Sequence, residues 1–220
     1  LGQRREVRAL DGLVACLDEP DSRLRVAAVE ALGEMEDSRA FDPLVRMLED
    51  AAWEVRRAAA HALGRLEDLR AVEPLIARLG DGNAAVRLAV VWALGGMEEA
   101  RAARAAAGAL RDEDREVRAA AVHDLCAVEP GLLDSLVGAL ADTDAGIRQR
   151  AVNQLESVNS LRVIGPLTGA LKDPDPDVRR FAAGVLSWRD VPGMADLLRP
   201  LLGDTNAMVR ACAALKLAEK

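Results

Sequence analysis

The chain has 220 residues, a formal net charge of −7, and half of its residues are hydrophobic. It has no tyrosine, two phenylalanines and three tryptophans, a palette dominated by Ala, Leu and Val that suits closely packed helices better than a sheet. The acidic balance argues against a protein that tracks phosphates, and no stretch approaches the roughly 18 apolar residues of a membrane span.

The N-terminus, Leu1-Gly2-Gln3-Arg4-Arg5, lacks the apolar core of a signal peptide. It also lacks a starting Met, so a longer native chain is expected. Cys16, Cys126 and Cys212 are odd in number and far apart. That spacing points to thiols in a reducing, cytoplasmic setting and not to a disulfide framework.

An arginine recurs at Arg25, Arg56, Arg87, Arg118, Arg148, Arg179 and Arg210, in steps of 31, 31, 31, 30, 31 and 31 residues. Each follows an aliphatic residue, from Leu24 and Val55 to Val209. Five residues before that aliphatic stands an acid: Glu19, Asp50, Asp81, Asp112, Asp142, Asp173, Asp204. A fixed period of this length marks a solenoid, in which each repeat packs only on its neighbours. The chain therefore reads as one elongated domain, residues 1–220, with repeats at about 3–36, 37–67, 68–98, 99–128, 129–159, 160–190 and 191–220.

Residues 39–68 show how one repeat is built. Phe41, Leu44, Val45 and Leu48 fall on one helical face, with Pro43 in the first turn, where its missing N–H costs little. The acidic turn at Asp50 ends this helix and can cap the next. Val55, Ala59, Ala60, Leu63 and Leu66 then mark a second helix, and Gly64 permits close helix contact or an early end. The same pattern predicts second helices at 21–35, 53–66, 84–97, 115–128, 145–158, 176–189 and 207–219, each preceded by a shorter first helix. The paired acids and arginines read as a structural ladder, each guanidinium bridging a carboxylate and turn carbonyls to pin repeat to repeat. A row of arginines gripping phosphates is disfavoured, because every repeat supplies a matching acid.

The recurring Asp-x-x-x-x-Val-Arg-x-x-Ala-x-x-Ala-Leu-Gly, with Arg-Ala-Val-Glu-Pro-Leu at 70–75, resembles the short HEAT-like repeats of phycobilisome-lyase type. The resemblance covers essentially the whole chain and implies an all-α, right-handed solenoid of seven helix-turn-helix repeats. It also implies that the second helices line a concave face. It leaves open a lyase-like role in handling a bilin or its carrier protein.

Positions inside the second helices that vary between repeats are then the candidate groove. Five residues after the ladder arginine come Glu30, His61, Trp92, His123, Asn153, Gly184 and Leu215. Nine after it come Glu34, Arg65, Gly96, Ala127, Ser157 and Trp188; one after it, Val26, Arg57, Leu88, Ala119, Gln149, Arg180 and Ala211. Two after it, alanines in the early repeats give way to Arg150 and Phe181. With Trp53 added from the exposed start of its helix, the candidate partner-binding set is Trp53, Arg57, His61, Arg65, Leu88, Trp92, His123, Arg150, Asn153, Phe181 and Trp188. Aromatic side chains on such a face are typical interface anchors. The alternative is that they pack on neighbouring repeats and fill gaps, most of all Phe181 and Trp188.

Catalytic chemistry is not expected. His61 and His123 sit two repeats apart and cannot share a metal. Ala62 and Asp124 stand where the family's di-iron hydroxylases carry Glu beside His. No Cys pair has zinc spacing, and no phosphate-binding glycine loop follows a strand. Two irregularities stand out: the lost residue near Val128-Glu129-Pro130-Gly131, expected to change local stacking, and Pro200, expected to kink the last first helix or delay its start. Neither end is strongly polar, the final helix carrying Lys216 and Lys220 as an imperfect cap. The expected function is a non-enzymatic scaffold for a protein or peptide, with no cofactor, nucleic acid unlikely, and membership of a longer chain or complex.

Overall fold

The computed structural model describes residues 2–124, 132–189 and 193–218, the side chains of 2–8 and 124 excepted. Cys126, Ala127, the shortened loop at 128–131 and Lys220 lie outside the described residues. The chain forms two compact units, residues 1–124 and 125–220. Every element among the described residues is helical.

In the first unit the helices are α1 (Gly2–Cys16), α2 (Ser22–Glu34), α3 (Phe41–Met47), α4 (Trp53–Arg65), α5 (Val72–Ile76), α6 (Ala84–Gly95), α7 (Ala100–Gly108) and α8 (Arg115–Asp124). The second contains α9 (Leu133–Ala139), α10 (Ala145–Glu156), α11 (Ile164–Ala170), α12 (Pro176–Ser187), α13 (Met194–Leu198) and α14 (Ala207–Ala218). Even-numbered helices are the predicted second helices, most ending a residue or two inside their expected bounds. The odd-numbered ones after α1 are short, and several are entered or left by a 3-10 turn, such as Ser38–Ala40 and Leu69–Ala71. Pro200 falls in such a turn, Arg199–Gly203. It neither bends α13 nor delays its start: the helix begins after Gly193 (φ 78°) and ends at Leu198, before the proline.

Each even helix packs on the odd helix before it and on the next even helix within its unit: α2 on α4, α4 on α6 and α6 on α8, and, in the second unit, α10 on α12 and α12 on α14. The core is the repeated aliphatic set. Leu44, Val55, Ala59 and Leu63 are fully buried, as are Leu75, Val86, Val90 and Leu94 one repeat on. Burying one such leucine contributes about 1.5–3 kcal/mol. Alanine and glycine let the even helices approach closely. A Cβ placed on Gly33 would lie 2.7 Å from the Ala62 Cβ, and one on Gly64 would lie 3.0 Å from that of Ala93. The close-contact role expected of Gly64 is therefore its actual one.

The ladder joins neighbouring repeats, with one change from the expected pairing. Arg25 donates from Nε and Nη2 to both carboxylate oxygens of Asp50, at 2.8 Å each. Asp50 belongs to the following repeat, not to the turn before the arginine. From its own turn Arg25 takes only backbone, donating from Nη1 to the carbonyls of Glu19 and Pro20. Arg56–Asp81, Arg87–Asp112, Arg148–Asp173 and Arg179–Asp204 repeat the arrangement. Each of these aspartates also accepts the amide two residues on, as Asp50 does from Ala52 at 2.8 Å. One guanidinium thus satisfies the previous turn's carbonyls and the next turn's acid, a charge-assisted, bidentate bond that fixes spacing and orientation together.

The ladder acid does not itself cap the following helix. The cap stands two residues later: Asp21, Asn83, Asp114, Asp144, Asp175 and Asn206 each accept an amide of the first helical turn. Helix α4 is the exception, beginning after Ala52 with no side-chain cap.

Candidate functional site

The stacking that buries the aliphatic set leaves one face of the even helices open. In the first unit the column five residues after each ladder arginine, Glu30, His61, Trp92 and His123, is exposed throughout. Trp92 is 41% exposed and meets the His123 ring edge-on, centroids 5.2 Å apart and planes at 61°. These rings belong to adjacent repeats, on α6 and α8. Trp53, at the start of α4, is 38% exposed. Neither tryptophan fills a gap in the core.

Along α4, Trp53, Arg57, His61 and Arg65 follow at four-residue steps and so share one helical face. The Arg57 guanidinium lies 5.9 Å from the Trp53 ring centroid. Against α2 this face forms a cleft of about 400 Å³, floored by Gly33, Ala58 and Ala62 and walled by Glu30, Glu34, Arg57, His61 and Arg65. Arg65 reaches Glu34 at 3.9 Å, both largely exposed. Burial, then the charges of Arg57 and Arg65, push the His61 imidazole below its ordinary pKa against the opposing pull of Glu30. These influences favour the neutral imidazole.

Other members of the expected set are less available. Leu88 is half-buried and packs against the core. The alanines two residues after the ladder arginines, Ala58, Ala89 and Ala120, are buried, as is Ala119. They belong to the stack, not to a groove. In the second unit Arg150 and Asn153 are exposed on α10, while Phe181 is half-buried under Arg180, whose guanidinium lies 4.4 Å from the ring centroid. Trp188 is 75% exposed, with the Lys216 ammonium 4.3 Å from its ring centroid.

Trp188 lines a second cleft of about 510 Å³ together with Leu161, which is 81% exposed, and Arg189. Arg189 donates to the carbonyls of Leu155, Glu156 and Val158. It thereby caps the C-terminal end of α10 from the next repeat, where the helix dipole favours a cation. Sequence reasoning passed over Arg189, because it lies one residue beyond the last variable column and its partners are backbone atoms.

Among the described residues no group of three or more His, Cys, Asp or Glu is placed to hold a metal ion. No described helix is long and apolar enough to cross a membrane.

Comparison with known proteins places this geometry. The HEAT repeats family model matches residues 10–85, 42–126 and 130–218. No curated protein matches the chain. Among solved structures, the Escherichia coli protein YIBA is 19% identical with a TM-score of 0.65, over 94% of this chain and 81% of that one. An archaeal HEAT-like repeats protein from Thermococcus onnurineus is 16% identical with a TM-score of 0.59, over 95% of both chains. The CpcE–CpcF complex of phycocyanin lyase from Nostoc sp. is 22% identical with a TM-score of 0.50, over 97% of this chain and 82% of that one. At such identities the likeness is one of fold. With its family model matched over nearly the full length and its ladder of stacked helix pairs, this chain belongs to the HEAT repeat family.

Proposed function

We propose that the protein is a non-enzymatic scaffold that binds a protein or peptide on the exposed face of its even helices. The anchors are Trp53, His61, Trp92 and His123 in the first unit. Arg150 and Asn153 on α10, and Trp188 at the end of α12, are further exposed candidates on the second unit. The observation that carries this reading is the Trp92–His123 ring pair, a large aromatic surface left open beside a fully occupied core. An exposed tryptophan of this kind loses most of its remaining water contact when a partner covers it, the property of a binding hot spot. Arg25, Arg56, Arg87, Arg148 and Arg179 are each bound bidentately to an aspartate, which takes them out of a phosphate-gripping role.

A photo-crosslinking amino acid at position 92 tests the proposal, with position 42 on the odd-helix side as control. Cross-linking to a discrete partner at position 92, in clear excess over position 42, is the expected result. Equal yields from both positions would remove the basis for the proposal.

A further inference from the structure

The cleft between α2 and α4 holds an imbalance that the stack does not explain. The ladder arginines of this unit are tied to carbonyls, and Arg25, Arg56 and Arg87 also to carboxylates. Arg57 is different. Its Nε is buried with no hydrogen-bond partner, and the guanidinium has no ion-pair partner among the described residues. Its one specific contact among the described residues is the Trp53 ring. Such a contact is weaker than a charged hydrogen bond. A guanidinium that is half withdrawn from water yet unpaired is ready to accept an anion.

The shape and the remaining charges narrow the class of anion. The floor of Gly33, Ala58 and Ala62 leaves room above it, because none carries a side chain beyond Cβ. Beside Arg57 stands His61, whose neutral form is favoured by burial and then by the charges of Arg57 and Arg65, so that it can share a hydrogen bond without adding charge. Across the cleft stand Glu30 and Glu34. A dianionic phosphate would meet both carboxylates at close range. A single carboxylate can sit on the α4 side, its two oxygens matched to the guanidinium fork.

We propose that this cleft is a carboxylate subsite, in which an aspartate or glutamate side chain of the partner protein docks on the outer edge of Arg57, between the Trp53 ring and His61. The assignment rests on the even-helix face being the binding face, and it names one residue type that the partner presents there. Glu30 and Glu34 then act as selectors, admitting one negative charge and opposing a second.

The test uses N-acetylglutamate α-amide, which carries one carboxylate, as probe, with the neutral N-acetylglutamine α-amide and inorganic phosphate as comparisons, read at the Nε–Hε resonance of Arg57 by NMR. That proton is shielded from solvent and should give a resolved signal. N-acetylglutamate α-amide should shift it along a saturating curve and N-acetylglutamine α-amide should leave it still, with phosphate at least about tenfold weaker. Arg57→Lys, which keeps the charge but loses the fork, should weaken the probe about tenfold when followed at the His61 ring, the cost of a lost bidentate charged bond. Circular dichroism confirms that the variant stays folded. No shift, a shift of equal size at exposed arginines such as Arg23, or a response to phosphate as strong as to the carboxylate would each overturn the assignment. Trp92→Ala separates this inference from the broader one. If that variant keeps partner binding while the Arg57 response is intact, the aromatic reading fails and the subsite stands; a lost Arg57 response in an unaltered binder gives the reverse.

Discussion

The two units share one skeleton and differ in what covers it. Both repeat the same guanidinium–carboxylate rung, with distances of 2.7–2.8 Å from Arg25–Asp50 to Arg179–Asp204. They part at the seam between even helices. The first unit places Gly33 and Gly64 where a Cβ would strike the next helix, whereas the matching positions of the second unit are Glu156 and Ser187. They part again on the open face. The column His61, Trp92, His123 in the first becomes Asn153, Gly184, Leu215 in the second, and the exposed aromatic moves to the helix end at Trp188. The stacking device can stay constant because it faces only its own neighbours. The surface column is free to change because no rung depends on it.

The strongest way to strain that contrast is to cut a rung. Arg87 is 7% exposed, and Arg87→Met leaves Asp112 with its charge largely enclosed and unmatched. Loss of one partner of a buried pair should lower stability by about 3 kcal/mol in urea unfolding. Arg210→Met is the control. Among the described residues Arg210 bonds to the carbonyls of Asp204 and Thr205 alone, and it is exposed, so its loss should cost less than about 1 kcal/mol. Equal costs would show that the carboxylate half of the rung contributes little.

The seam comes next. Gly33→Val sets a Cβ 2.7 Å from that of Ala62 and 2.9 Å from its Cα, an overlap that only backbone movement relieves. A loss of about 1–3 kcal/mol is expected by thermal unfolding. In the second unit Gly184 has nothing within 4 Å of such a Cβ, so Gly184→Ala within α12 should gain up to about 1 kcal/mol from helix propensity. A loss at Gly33 no larger than the change at Gly184 would show that the close approach of Gly33 to Ala62 does not constrain the seam.

The smallest effects are those of pH, and they also separate the two regions. In Asp81 and Asp204 the arginine bond leads in holding the carboxyl below its ordinary range. In Asp50, Asp112 and Asp173 burial is the largest single influence and pushes upward, but the arginine, the backbone amide and nearby charges together outweigh it. A lowered folded pKa gives stability that is present above the unfolded value of about 3.9 and is lost as pH falls through the folded one. Acid unfolding of both units should therefore set in below about pH 4. The first unit carries one further term. The lowered His61 pKa means that the unfolded state takes up its proton first, so a small loss of stability should appear as pH falls below about 6.5. His61→Gln should remove that shoulder and leave the acid limb unchanged.

The parts of this organisation that repeat were legible in the sequence. The ladder period located every even helix, and the columns counted from it located Trp53, Trp92 and Trp188, all exposed. What escaped were relations between repeats. That Arg25 pairs 25 residues forward with Asp50, and takes only the carbonyl of Glu19, depends on how one turn lies over the next. The caps at Asn83 or Asp175 hid behind the more regular aspartates two positions earlier. Leu88 shares its column with Arg57 but turns toward the core, because an apolar side chain can bury where a charged one stays at the rim. The unpaired state of Arg57 was invisible for the same reason: only the stacked structure shows which arginines the aspartates have claimed.

The central claim is that the ladder holds the stack and the exposed column does not. The melting temperature of the Trp92→Ala, His123→Ala double variant tests it most directly. Both rings lie outside the core, so the account predicts a fall of less than about 4 °C, about 1 kcal/mol for a chain of this length. A fall of more than about 10 °C would contradict it, and would make the Trp92–His123 pair part of the stack.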